Sequence, residues 1–282
     1  MLSRIYLEIT NVCNRSCAFC PGTQRPARTM RPEEFSLLAA KLRPHADYLY
    51  LHVMGEPLVH PQLEEILARA GRLGFRVVLT TNGTLLPARQ QTLLDAPCLH
   101  KVHVSLHSFE ANDAGNFEAY LDGCTAFGLA ASKRGVLVNY RLWNLDGAEQ
   151  SGLNRRNEEL LLALHRVFPD AWQRNTWGWR AAKGVFVQYG ERFDWPERTA
   201  RDRGEAGHCR ALRDQAAVLC DGTVVPCCLD HEGDMALGNL FTQRLEEILT
   251  TPEAVRIRTG FAQGKRVHLL CRSCGYADRF GT

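Results

Sequence analysis

Three cysteines fall within eight residues, directly behind an apolar stretch, in the run Asn11-Val12-Cys13-Asn14-Arg15-Ser16-Cys17-Ala18-Phe19-Cys20-Pro21. The C-x3-C-x2-C spacing of Cys13, Cys17 and Cys20 follows the strand pattern Ile5–Ile9. One loop can therefore turn all three thiolates onto a polynuclear iron–sulfur cluster, for which thiolate is the preferred ligand. A cubane has four irons, so three cysteines leave one iron open to a substrate or cofactor, whereas a fourth would make a pure electron carrier. The alternative is zinc. Structural zinc takes four ligands, commonly from paired C-x2-C units, and this triplet has no fourth cysteine or histidine nearby.

At 282 residues the chain has room for one large domain with a small appendage, and 45% apolar against 23% charged residues describes an ordinary globular protein. A net charge of +3 gives no footing for nucleic acid or a membrane surface. No apolar run approaches the ~20 residues that span a bilayer, and Met1 leads straight into a strand pattern without a signal segment, so the expected location is cytoplasmic. Eleven cysteines in such a chain point to metal or redox chemistry rather than disulfides. They gather at the two ends; only Cys98 and Cys124 lie between, and both read as small buried hydrophobes.

Strand and helix patterns alternate from the start. Strands are predicted at Ile5–Ile9, Tyr48–Val53, Arg76–Thr80, Lys101–Ser105, Val136–Leu142 and Gly184–Gln188, with helices at Glu33–Arg43, Gln62–Leu73, Ala88–Ala96, Phe117–Arg134 and Asn157–Phe168. Pro32, Pro61 and Pro87 stand where first helical turns begin. This alternation predicts an α/β fold on a parallel sheet, with too few units for a closed eight-fold barrel. In barrel-like folds chemistry gathers on the loops after strand C-termini, where the cysteine loop lies. Arg25, Arg28 and Arg31 read as a solvated basic loop, with closure over a substrate as the sharper reading. Between residues 169 and 200, Trp172, Trp177, Trp179 and Trp195 read as packing or as a pocket wall.

The triplet, with the aromatic Phe19 just before its third cysteine, resembles the radical S-adenosylmethionine (SAM) superfamily. The resemblance implies an open, partial (β/α)6 TIM-like barrel over residues 1–200. It also implies a [4Fe–4S] cluster on Cys13, Cys17 and Cys20 whose free iron is chelated by SAM, and reductive SAM cleavage to a 5′-deoxyadenosyl radical that abstracts hydrogen from the substrate. Met54-Gly55-Glu56 resembles the family's Gly-Gly-Glu motif, whose backbone bonds the SAM ammonium, with Met54 in place of the first glycine. Thr80-Thr81-Asn82-Gly83 reads like its Thr-Asn-Gly turn, although Asn-Gly is also a routine turn former. By the same resemblance Ser105 and Arg141 hold the SAM ribose and carboxylate, and the backbone of Phe19 meets the adenine. His107, after the fourth strand, is the candidate proton acceptor. His45, His52, His60 and His103 read as structural.

From Cys209 onward the chain becomes cysteine-rich. Ala216–Cys220 and Thr223–Cys227 read as a β-hairpin around a two-residue Asp221-Gly222 turn. That register sets Cys227 opposite Ala216 and near Cys209. It leaves Cys220 about 13 Å away along the strand, and turns Cys228 to the opposite face. Cys209, Cys227, Cys271 and Cys274 remain as four candidate ligands. The pattern, with Leu237-Gly238-Asn239-Leu240 between, resembles the SPASM/twitch extension of radical SAM enzymes. It implies a small α+β domain over residues 201–282 with one auxiliary [4Fe–4S] cluster; a four-cysteine zinc ribbon is the rival.

The expectation is a radical SAM enzyme carrying out a net oxidation of a small molecule, with the auxiliary cluster accepting an electron and a flavodoxin- or ferredoxin-like donor supplying the first. Peptide modification, as in peptide-crosslinking or sulfatase-maturing relatives, is the alternative. A non-catalytic electron-transfer or sensing protein is the third, and it would leave Glu56 and its neighbours without purpose.

Overall fold

The computed structural model describes residues 2–110, 116–145 and 157–281. Its strands are β1 (Arg4–Leu7), β2 (Tyr48–Tyr50), β3 (Arg76–Thr81), β4 (Leu99–Ser105), β5 (Leu137–Leu145), β6 (Gln173–Asn175), β7 (Gly178–Ala182), β8 (Val185–Glu191), β9 (Gln215–Val218), β10 (Thr223–Val225) and β11 (Gly238–Asn239). The main helices are α1 (Pro32–Leu42), α2 (Leu63–Arg72), α3 (Leu86–Leu94), α4 (His107–Glu110), α5 (Phe117–Lys133), α6 (Asn157–Val167), α7 (Leu245–Leu249), α8 (Pro252–Ala262) and α9 (Leu269–Ser273).

One sheet runs through the described chain in the order β11-β10-β9-β1-β2-β3-β4-β5-β8-β7-β6. The six predicted barrel strands are β1 to β5 and β8, parallel to one another along the sheet. They form the expected partial barrel, because the sheet ends on short antiparallel strands instead of closing. Two features depart from the sequence reading. The tryptophan-rich connection holds β6 and β7, an antiparallel extension of β8. On the other edge, β9 pairs in parallel with β1, so the C-terminal hairpin prolongs the barrel sheet.

Side chains alternate across each strand and divide the molecule into a core and a lumen. Ile5, Leu7, Leu49, Leu51, Val77, Leu79, Val102, Val104, Val138, Tyr140, Val185 and Val187 join the helix-side core. The intervening positions carry Tyr6, Tyr50, His52, Thr80, His103, Asn139, Arg141 and Gln188. Hydrogen bonds link His52 to Thr80 and His103 through Asn139 to Gln188 across them. Helices pack by the same logic. In α2, Leu63, Ile66, Leu67 and Ala70 are buried at helical spacing while Glu64 and Glu65 open the first turn. Cys98 and Cys124 are buried, as expected.

The hairpin turn differs from prediction. Leu219 N–H donates to Thr223 O and Gly222 N–H to Leu219 O, so Cys220-Asp221-Gly222 form a three-residue loop with Gly222 in the left-handed region, φ +85°. The register moves by one, pairing Val225 with Ala217, and Cys227 no longer falls opposite Ala216.

Gly128 in α5 offers a test of the core. In an ordinary helix interior, glycine to alanine stabilises by about 1 kcal/mol. Here the new methyl would stand 1.9 Å from the hydroxyl of Tyr140, which donates to Cys124 O at 2.8 Å. Gly128→Ala should therefore lower the urea unfolding midpoint, at a cost of about 1–3 kcal/mol, and adding Tyr140→Phe should relieve part of it.

Candidate active site

The cysteine loop leaves β1 at the mouth of the lumen. The Cys20 amide donates to Cys17 O at 2.9 Å, which curls the loop, and Cys13 lies within electrostatic reach of both Cys17 and Cys20. Cys13 and Cys20 are exposed and Cys17 half-buried. Burial nevertheless raises the thiols of Cys13 and Cys20. The set is all sulfur, the donor chemistry that suits iron–sulfur clusters.

Two strand ends press against this loop. Gly55 has φ +74°, and a Cβ there would stand 2.5 Å from Thr10 O and 2.8 Å from Val12 O, so only glycine fits. The Glu56 amide donates to Val12 O at 2.9 Å. The Glu56 carboxylate accepts the amides of Asn82 at 2.7 Å and Leu58 at 3.1 Å. Burial pushes its carboxyl up to about 7, against the pull of those amides and the Thr81 hydroxyl. Asn82 in turn reaches the cluster loop through Asn14 at 2.9 Å. Met54, Gly55, Glu56 and Asn82 are thus brought together with the cysteines.

Ser105 and Arg141 are register partners across β4 and β5. Arg141 lies over the Trp143 ring, 4.6 Å from its centroid. Burial lowers its pKa to about 10, with the tyrosines Tyr6, Tyr276 and Tyr50 opposing. His107 packs on Phe19, ring centroids 4.9 Å apart, and its Nδ1 lies 3.0 Å from Arg141 O. Burial lowers its pKa to about 4, so the ring is neutral and a weak proton acceptor. The carbonyl of Phe19 accepts the indole N–H of Trp195 at 3.1 Å. Of the four tryptophans, Trp195 therefore walls the site, Trp172 and Trp179 pack on the core, and Trp177 is exposed.

Glu8 escaped the sequence reading. It has no exposed surface, and its carboxylate accepts both Nη atoms of Arg25 at 2.7 and 2.8 Å, the Met54 amide at 3.0 Å and the Cys220 amide at 3.0 Å. An acid inside an otherwise apolar strand was the available signal. Arg25 is accordingly no solvated loop residue, and Arg28 is tied to Glu34 and Cys220 O; Arg31 is the one of the three that stays largely exposed.

In the C-terminal region, burial pushes the Cys227 thiol up, and the charges of Cys228, Cys209, Cys274 and Cys271 add to that push. Cys228, the next residue, packs on the lumen side with Tyr6 and Val225. After Cys274 the chain crosses the mouth of the lumen. Tyr276 meets Phe193 edge-on there, and Arg279 lies over the Trp143 and Tyr276 rings.

A partial barrel with a three-cysteine loop at its mouth, joined to a C-terminal region with six more cysteines, defines a class of cluster-dependent radical enzymes. Residues 7–147 match the radical SAM superfamily, and residues 209–275 match the iron-sulfur cluster-binding SPASM domain. The chain belongs to the radical SAM superfamily, and the two matches imply SAM, a [4Fe–4S] cluster and auxiliary cluster binding. It is 32% identical over 134 residues to a probable GTP 3',8-cyclase of Methanocella arvoryzae, covering 44% of this chain and 43% of that protein. It is 31% identical over 113 residues to the AdoMet-dependent heme synthase of Methanosarcina barkeri, covering 39% of this chain and 32% of that protein. The matches thus span less than half the length of these relatives. Among solved structures, BtrN in complex with AdoMet and 2-DOIA superposes with TM-score 0.63 at 19% identity, over 97% of this chain and 93% of that one. Tagged anSMEcpe with bound AdoMet gives 0.64 at 13% identity, over 100% and 88%. Among the described residues no helix is long and apolar enough to cross a membrane.

The buried carboxylates can each be tested. Glu8→Gln strands Arg25 without a counter-charge and should cost about 3–5 kcal/mol, read as a lower urea midpoint, with Arg25→Met in the same chain recovering part of it. Glu56 holds its proton to about 7 in the native state against 4.5 unfolded. Its ionisation therefore weakens folding as pH rises through that window, and the penalty is complete above it. Relative to Glu56→Gln, wild type should lose on the order of 3 kcal/mol between pH 4.5 and 7; a constant difference across the window would contradict this.

Proposed function

We propose that this chain is a radical SAM oxidoreductase acting on a small polar molecule held in the barrel lumen. Cys13, Cys17 and Cys20 hold the SAM-binding [4Fe–4S] cluster, and Cys209, Cys227, Cys271 and Cys274 hold one auxiliary [4Fe–4S] cluster. The observation that carries the reading is the divergence of Cys227 and Cys228. Cys227 packs against the helix-side core, while its neighbour Cys228 packs with Tyr6 on the lumen face. An electron acceptor in the four-cysteine set would sit one residue from the substrate. When bound, the two clusters and SAM supply hydrogen abstraction from the substrate by a 5′-deoxyadenosyl radical and uptake of the second electron.

The chain's own groups do the rest. The backbone of Met54 and Gly55 with Glu56 receives the SAM ammonium, Ser105 and Arg141 take the ribose and carboxylate, and the Phe19 backbone meets the adenine. Asn82 props the cluster loop, and His107 seats Phe19. His52 Nδ1, Asn139 Oδ1 and Trp143 Nε1 are buried without partners, and buried polar atoms of this kind call for a polar ligand. Relatives named as GTP cyclases and a heme synthase support SAM-dependent radical chemistry and carry nothing about this substrate. A flavodoxin- or ferredoxin-like protein in the cytoplasm would supply the reducing electron.

Anaerobic reconstitution should give about eight irons per chain; Cys13→Ala with Cys17→Ala, or Cys227→Ala alone, should lower the count toward about half, and Cys228→Ala should not. Reduced protein with SAM should yield 5′-deoxyadenosine. Cys227→Ala should keep that yield while losing substrate oxidation; methionine released without deoxyadenosine would sink the proposal.

A further inference from the structure

Arg266 is among the most deeply buried side chains of the protein, at 2% exposure. Its Nη2 donates to Asp278 Oδ1 at 2.9 Å, but Nε and Nη1 are buried with no partner. Asp278 is a partial counter-charge, since it is half-exposed and shared with Arg203. A buried guanidinium with idle donors is costly, yet the fold builds a seat for it. The Arg266 amide donates to Glu205 O beside the antiparallel bridge of Ala206 and Lys265. Gly207, at φ +146°, leaves the space, for a Cβ there would lie 2.4 Å from Arg266 Nε.

The segments it touches identify its purpose. The guanidinium packs against Gly207, two residues before Cys209, and pairs with Asp278, four residues after Cys274, so it contacts two of the segments that carry the proposed auxiliary ligands. A cluster held by four thiolates carries net negative charge, and reduction adds one more. A fixed cation and N–H···S hydrogen bonds stabilise the reduced form most, and they raise the reduction potential.

We propose that Arg266 is the cationic partner of the auxiliary centre, its Nε and Nη1 donating to the sulfur atoms of the cluster there and making that cluster easier to reduce. The inference rests on Cys209, Cys227, Cys271 and Cys274 being the ligands. Arg266 is a positioning residue, not a group that touches substrate.

The test is an anaerobic redox titration of the reconstituted full chain, followed by electron paramagnetic resonance, for wild type, Arg266→Gln, Arg266→Lys and Asp278→Asn. Arg266→Gln should lower the reduction equilibrium constant of the auxiliary cluster by about tenfold or more, equivalent to ~59 mV for one electron. The Cys13/Cys17/Cys20 cluster should not move. Arg266→Lys keeps the charge but loses the planar fork and should fall between. Asp278→Asn frees the cation from its one counter-charge and should shift the potential the opposite way. If Arg266→Gln loses the cluster, the opposed signs of the other two variants still decide. Variants that leave the potential unmoved, or move it in one direction, overturn this inference alone. A wild-type chain with about four irons instead of about eight overturns the ligand assignment and this inference with it.

Discussion

Glu8 stands at the end of β1 with its carboxylate shared among Arg25, the Met54 amide and the Cys220 amide. Each partner belongs to a different part of the molecule: the cluster loop, the strand end after β2, and the C-terminal hairpin. A buried carboxylate is tolerable only when its lone pairs are filled and its charge is matched. All three segments must therefore be docked for any to be stable. The hairpin is not an appendage on this view. Through Glu8 and the β1–β9 pairing it completes the mouth of the barrel.

Strand alternation then lets one sheet serve two kinds of chemistry. One face is continuous aliphatic core, and the other carries tyrosine, histidine, asparagine and arginine into the lumen. Past the end of β10 the chain bends and the alternation breaks: Cys227 packs against the core that holds Val224, and Cys228 against the lumen-side cluster that holds Val225.

Much of this was legible in the sequence because it depends on local period and spacing. The cysteine triplet and the six barrel strands are read from residues close along the chain. What was not legible depends on contacts formed only after folding. The Arg25–Glu8 pair joins residues 17 apart, across a loop whose arginines look alike. The strands β6 and β7 are short, and Gln173, Arg174 and Asn175 are exposed, so no apolar pattern marks them. Asp221-Gly222 fits a two-residue or a three-residue loop equally well, and only the bond from Leu219 to Thr223 decides. Arg266 is an arginine after Gly264-Lys265 with nothing around it to suggest burial.

The two cysteine sets differ in enclosure, and that difference matches what each must do. The loop of Cys13, Cys17 and Cys20 lies at the mouth with two thiols exposed, as a site that admits a cofactor requires. Its rigidity comes from outside, from the Glu56 amide and the Trp195 indole on backbone carbonyls of the loop and from Asn82 on the Asn14 side chain. The late cysteines are more enclosed, Cys271 and Cys274 buried and Cys209 and Cys227 half-buried. Burial raises the cost of negative charge there, and the fold answers with an arginine whose donors are left idle by the protein itself. An open loop secured from outside and a more enclosed group of cysteines with a buried arginine nearby are opposite ways of placing cysteine in one chain.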